Sequence, residues 1–256
     1  MNAILVLIFV IALSLFSSTV FRDIGLAMVF NPDALMIVGG GTIVAVFLGF
    51  PFKRLKKTFF DIIDSFRPKR DLRETTKDIL EVAKIYRRAD IRGLERKMKY
   101  VKDDFLKMGI NLLINNQTNE EIRAIMERGM AARIMDYNFS QNVLKAIARL
   151  TPSFGLAGTV ISLIKMFQNM QSIDSIAPQM AVAMMSTFYG VIISNLLMLP
   201  LCAKLEERSI QSEAEMYSMI EGIEAINNKD HPLSIEDKIS GYSITWDLSP
   251  ARISGA

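Results

Sequence analysis

Met180–Pro200 reads MAVAMMSTFYGVIISNLLMLP, twenty-one residues without a charge. The uncharged run continues on both sides, from Ser175 to Ala203. A helix needs about 20 apolar residues to cross the hydrocarbon core of a bilayer, so this stretch is predicted to span a membrane as Ile176–Ala203. Three further spans are expected at Met1–Phe21, Ala34–Phe52 and Leu150–Met170. The runs are too long and too numerous for the buried helices of a soluble protein. The Leu150 run is uncharged for 15 residues and then meets Lys165. It reaches span length if that ammonium snorkels to an interface. The first run lacks a basic flank and a small-x-small cleavage site before Arg22, so it is taken as a retained span, not a signal peptide. The fold class is therefore an all-α integral membrane protein with four transmembrane helices.

None of the four runs contains Asp or Glu. Proteins that move ions through lipid usually hold a carboxylate at depth. Either the bundle is inert, or a partner supplies the acid. Cys202 is the only cysteine and His231 the only histidine. No internal disulfide and no metal cluster built on those side chains is possible, and no resident cofactor is expected.

Charge sorts the remainder. Residues 51–151 hold 23 Lys/Arg against 14 Asp/Glu, and residues 202–256 hold 5 against 10. The positive-inside rule places the large basic loop, and hence both termini, in the cytoplasm. KRLKK at Lys53–Lys57 and RPKR at Arg67–Arg70 then mark topology and meet lipid headgroups; no nucleic-acid partner is expected. The organisation reads as a transmembrane hairpin (1–52), a cytoplasmic helical domain (53–149), a second hairpin (150–203), and a cytoplasmic C-terminal helix and tail (204–256). Within the loop, Asp71–Arg88 and Asp103–Asn116 carry apolar residues at helical spacing. Asn119–Arg133 opens on a cap-like Asn119 with two early acids and later arginines. The last span is expected to continue as a helix through Lys204–Asn227.

Two spans carry residues that bear on function. Span three opens TPSFGLAGTVISLIK, Thr151–Lys165. Gly155, Gly158, Ser186 and Gly190 are small enough to let helices approach closely. Thr159 and Thr187 put hydroxyls at plausible mid-membrane depth. Pro152 and Pro200 sit near span ends, where they bend a helix or mark its boundary. These residues suit simple helix packing, with hydroxyls bonded back to their own helices. They equally suit a polar wall for ions passing against another subunit. Hydroxyls ligate Na⁺ or hold water but do not titrate near neutral pH.

The pattern formed by Pro152, Gly155, Gly158 and Thr159, then Ile176, Pro178, Met180–Ala183, Thr187, Tyr189, Gly190 and Pro200, resembles the MotA/PomA family, the A-subunits of bacterial flagellar stators. Arg87–Glu95 (RRADIRGLE) is similar to that family's R-x-x-G-x-x-x-L-E segment, with Asp90 where a glycine is usual. Asn31–Thr42 (NPDALMIVGGGT) resembles its second-span opening. The resemblance covers about residues 1–240 and leaves the tail from Gly241, with Trp246, unmatched. It implies a homopentameric ring in the bacterial inner membrane around two B-subunits. Each B-subunit has one span with an ion-binding Asp and a peptidoglycan-binding domain. Ion flow moves the ring, which pushes the rotor's switch-ring protein. It further implies an ion pathway at Thr159, Thr187 and Tyr189, coupling prolines at Pro152 and Pro200, and rotor-facing charges at Arg87 and Glu95. Arg88, Arg92 and Arg96 are weaker candidates for that face. Thr at position 159 favours Na⁺ over H⁺ as the transported ion, because family members driven by protons tend to carry Ala there.

Competing readings remain at this stage. An ExbB/TolQ-like or gliding-type energiser usually has three spans with the large insertion after the first, whereas here two hairpins flank one loop. An unrelated four-span scaffold would need no partner carboxylate. An enzyme is not expected, since no nucleophile–base pairing, phosphate loop or metal spacing is present.

Overall fold

The structure, a computed structural model, describes residues 30–66, 72–88, 90–168 and 176–247. The expected first span at Met1–Phe21, the RPKR run, the linker with Asp174 and the tail from 248 lie outside them. All the described elements are helices: α1 (Pro32–Gly49), α2 (Phe52–Ser65), α3 (Leu72–Arg87), α4 (Ile91–Tyr100), α5 (Asp104–Ile114), α6 (Asn119–Gln168), α7 (Ile176–Asn227) and α8 (Pro232–Asp247). Three of them, α1, α6 and α7, are long and apolar enough to cross a membrane. The chain packs as two units. One comprises 1–52 and 143–200, the other 53–142 and 201–256.

In the first unit α1 starts on Asn31, whose side chain accepts from the Ala34 N–H at 3.1 Å, with Pro32 in the first helical position. That pairing satisfies one orphan donor and uses a residue that needs none. Residues four apart then form its buried stripe: Ala34, Val38, Thr42 and Val46. Thr42 Oγ1 donates to Val38 O at 2.7 Å, so its hydroxyl is satisfied inside the helix. The other faces leave Met36, Val44, Phe47 and Leu48 exposed. Leu48 is 85% exposed, an arrangement that suits lipid and would be costly in water.

The second unit is a compact helical core. Ile79 and Val82 of α3, Leu94 of α4, Leu106, Ile110 and Leu113 of α5, Ile122 and Met126 of α6, and Ile220 and Ile223 of α7 are essentially buried. Ile235 and Ile239 of α8 close it. The apolar residues of Asp71–Arg88 and Asp103–Asn116 supply much of this core. Arg123 of α6 grips Glu224 of α7 with two bonds, at 2.6 and 2.5 Å, and reaches Glu221 at 2.9 Å. The cap of α6 is not Asn119, as its sequence suggested. Thr118 takes that place, because its hydroxyl accepts from the Glu121 N–H at 3.3 Å while the Glu121 carboxylate accepts from the Thr118 N–H at 3.0 Å. This reciprocal pairing satisfies two donors. Asn119 instead faces α7, exchanging bonds of 2.6 Å with Asn227 and Asn228. Thr118→Ala is expected to lower stability by about 1 kcal/mol, read as a lower denaturant midpoint; an unchanged midpoint would mean that Thr118 does not cap α6.

Candidate functional site

The long helices α6 and α7 cross where their side chains are smallest. The backbone of Gly155 lies so near α7 that an added Cβ would sit 2.9 Å from Ser186 O and 3.3 Å from Thr187 Cα. A Cβ on Gly190 would sit 2.8 Å from Thr151 O and 3.1 Å from Pro152 Cα. Both obstacles are backbone, which cannot rotate aside. On the same face, a Cβ at Gly158 would strike the side chain of Ser186, with Ile37 of α1 beyond at 3.3 Å. Ser186 itself is fully buried, its hydroxyl donating to Val182 O at 2.8 Å. The structure thus brings Pro152, Gly155, Gly158, Ser186, Thr187 and Gly190 into one contact. Without water, close backbone approach and satisfied hydroxyls are what hold such helices together.

Thr159 and Thr187 flank this seam and are half-buried. Thr159 Oγ1 donates to Leu156 O at 2.7 Å. That bond uses its proton and leaves the oxygen lone pairs available to a ligand. Tyr189 is also half-buried, and its hydroxyl accepts from the Asn31 N–H at 2.8 Å. This ties the start of α1 to α7. Lys165 is exposed near the end of α6.

Neither proline ends a helix. Pro152 lies inside α6, and Pro200 follows a π-helical turn, Ile193–Met198, within α7. A second π turn, Met36–Gly40, interrupts α1. Such turns are rare and cluster at functional positions. Sequence reasoning overlooked Thr151 and Ser194. Thr151 Oγ1 donates to Ile147 O at 2.7 Å, and Ser194 Oγ donates to Ala148 O at 2.7 Å. A usable signal existed, because Ser194 continues the row Ser186–Gly190 at a spacing of four, as Thr151 continues Gly155.

Arg87, Arg88, Arg92, Glu95 and Arg96 belong to the other unit and are all exposed. Asp90 caps α4 by accepting from the Gly93 N–H at 2.8 Å, so the departure from the usual glycine there provides a helix cap. The ion pairs of this region use Lys97, with Asp78 at 2.9 Å and Glu81 at 2.6 Å, and Arg96 with Asp90 at 3.8 Å. The same unit holds an open cavity of about 360 Å³ lined by Lys57, Phe60, Asp61, Asp64, Arg133 and Asp136. Burial pushes the Asp61 carboxyl up, partly offset by the Ser140 hydroxyl at 2.6 Å and the Lys57 charge. The Lys57 ammonium, aided by Arg54, holds Asp136 below the usual carboxylate range despite burial. This recess contains none of the residues singled out above.

Known proteins share this architecture. Residues 97–218 match the model of the MotA/TolQ/ExbB proton channel family. Motility protein A of Aquifex aeolicus is 31% identical over 205 residues, covering 79% of this chain and 81% of that protein. Chemotaxis protein PomA of Vibrio alginolyticus is 27% identical over 218 residues, covering 85% of each. Among solved structures, the flagellar MotAB stator complex of Bacillus subtilis contains a chain that superposes with a TM-score of 0.76 at 26% identity, covering 93% of this chain and 98% of that one.

Proposed function

The chain belongs to the MotA/PomA family of flagellar stator subunits, and we propose that it builds the hydroxyl-bearing wall of an ion pathway whose carboxylate comes from a second subunit. It is a membrane protein that works with a MotB-type partner to conduct ions in the flagellar motor. The observation that carries the proposal is chemical. Leu150–Gln168 and Ile176–Ala203 contain no Asp or Glu, yet they pair closely and present Thr159, Thr187 and Tyr189. A hydroxyl ligates a cation but does not bind and release a proton near neutral pH. In this proposal the titrating acid is the Asp that the family resemblance assigns to the B-subunit's span.

In this reading five copies ring two B-subunits, and Na⁺ is the ion. Thr159 supports sodium, since its oxygen keeps lone pairs free after bonding to Leu156. Charges at the end of α3, in the turn after it and on α4, Arg87 and Glu95 with Arg88 and Arg92, face the rotor, and the spans flex at Pro152 and Pro200. Helix α2 fits the cytoplasmic membrane surface. It turns Thr58 and Ser65 inward and exposes Phe52, Phe59, Phe60 and Ile63, with Phe66 exposed just past its end and Lys53 and Lys56 also exposed. An aromatic face bordered by lysines suits the headgroup layer of an anionic leaflet. Both termini then lie in the cytoplasm.

A deletion strain tests the proposal. Loss of the chain is expected to leave flagella assembled but motionless. Restoring it should return swimming in sodium buffer and not when potassium replaces sodium. Normal swimming of the deletion strain would overturn the stator role; unchanged swimming in potassium would assign protons as the ion.

A further inference from the structure

Pro152 has no N–H, so the carbonyl four residues earlier, that of Ala148, loses its helical donor. In a membrane-embedded helix a freed carbonyl must find another partner. It finds one on the other helix. Ser194 Oγ donates to Ala148 O at 2.7 Å across 46 residues of chain. Thr151 Oγ1 also approaches that carbonyl, at 3.5 Å, but spends its short bond on Ile147 O. Ser194 is 5% exposed, so water does not compete.

The donor's own position is irregular. Ser194 lies in the π turn Ile193–Met198, and its carbonyl accepts from Leu199 N–H, five residues on instead of four. Pro200 comes next and can donate to no carbonyl. The hydroxyl that repairs the gap at Pro152 thus hangs from the turn in which the ladder of α7 shifts register ahead of Pro200. Pro152 leaves a gap in the ladder of α6, a π turn lies ahead of Pro200 in α7, and one buried hydrogen bond joins the two.

We propose that Ser194 is the positioning residue that ties the gap at Pro152 to the π turn ahead of Pro200, so that the two proline-marked sites change conformation together. The functional half rests on the stator reading; the bond itself does not.

The test compares four versions of the full-length chain in complex with its B-subunit: wild type, Ser194→Ala, Pro152→Ala and the double variant. Pro152→Ala restores an N–H that can serve the Ala148 carbonyl, which makes the Ser194 hydroxyl redundant. Ser194→Ala is expected to lower the thermal midpoint of the purified complex by roughly 2–4 °C when Pro152 is present, and to change it little in the Pro152→Ala background. In cells, Ser194→Ala should reduce maximal swimming speed at an unchanged membrane level. The sodium concentration for half-maximal speed should stay the same, because the ion site is intact. An equal drop in both backgrounds, or none in either, overturns the bond's assigned role. A proline-dependent drop with normal swimming overturns the coupling. A deletion strain that swims normally overturns the stator reading alone, and the thermal comparison still decides the bond.

Discussion

Gly190→Val is expected to abolish swimming. The reason is geometric. Even a lone Cβ at this position would lie 2.8 Å from Thr151 O, 3.1 Å from Pro152 Cα and 3.3 Å from Gly155 Cα. All three are backbone atoms, so no rotamer change relieves the overlap, and valine adds two methyls beyond it. Helices α6 and α7 must separate by about an ångström or more, and overpacking of this kind costs on the order of 1–3 kcal/mol even where side chains can yield. The separation would also pull Ser194 from Ala148 and move Thr187 relative to Thr159. Swimming assays, with membrane levels followed by immunoblot, measure the outcome. Gly190→Ala should be intermediate. Wild-type swimming by the Gly190→Val strain would mean that this contact does not exist in the working protein.

Ile223→Ala is expected to cause the largest loss of stability in the other unit. Ile223 is completely buried, and Gly109 of α5 packs so tightly on it that a Cβ there would lie 2.8 Å from Ile223 Cγ1. Truncation removes three buried carbons and leaves a cavity walled by packed helices. Substitutions of this type cost about 2–5 kcal/mol, a large share of the roughly 5–15 kcal/mol that holds a typical protein folded. Denaturant or thermal unfolding of the purified protein reads the effect. Ile223→Val, which keeps the branched carbon, should cost about 0.5–1.5 kcal/mol. A stability within error of wild type for Ile223→Ala would show that the α5–α7 contact is loose.

Much of the fold was legible because lipid imposes a strict grammar. Uncharged runs near 20 residues announce spans, and α1, α6 and α7 occupy three of the expected ones. The amphipathic spacing of Asp71–Arg88 and Asp103–Asn116 likewise announced core helices, with Ile79, Val82, Leu106 and Ile110 turned inward. The cap of α6 was misplaced at Asn119, although Thr118 with Glu121 three residues on spells the reciprocal cap that the structure shows. Pro152 and Pro200 allow either a bend or a boundary in the sequence; both lie inside helices, because a span within a packed bundle tolerates an interior proline when a neighbour serves the freed carbonyl. The neighbour, Ser194, is placed by its spacing on the Ser186–Gly190 row, but its partner carbonyl, that of Ala148, is fixed only by how α6 and α7 meet.

What the sequence alone determined is the chemistry available: apolar spans without a carboxylate, hydroxyls at Thr159 and Thr187, a basic loop, and a motif shared with stator subunits. These are properties of residue type and local spacing, which a linear reading captures. What only the tertiary structure decided is partnership across long separations. It set Gly155 against Gly190, gave the Ala148 carbonyl to Ser194, and bound Tyr189 to Asn31. Which backbone group goes unpaired is written locally by a proline. Which distant side chain satisfies it depends on how two helices meet, and that is settled by packing summed over the whole interface.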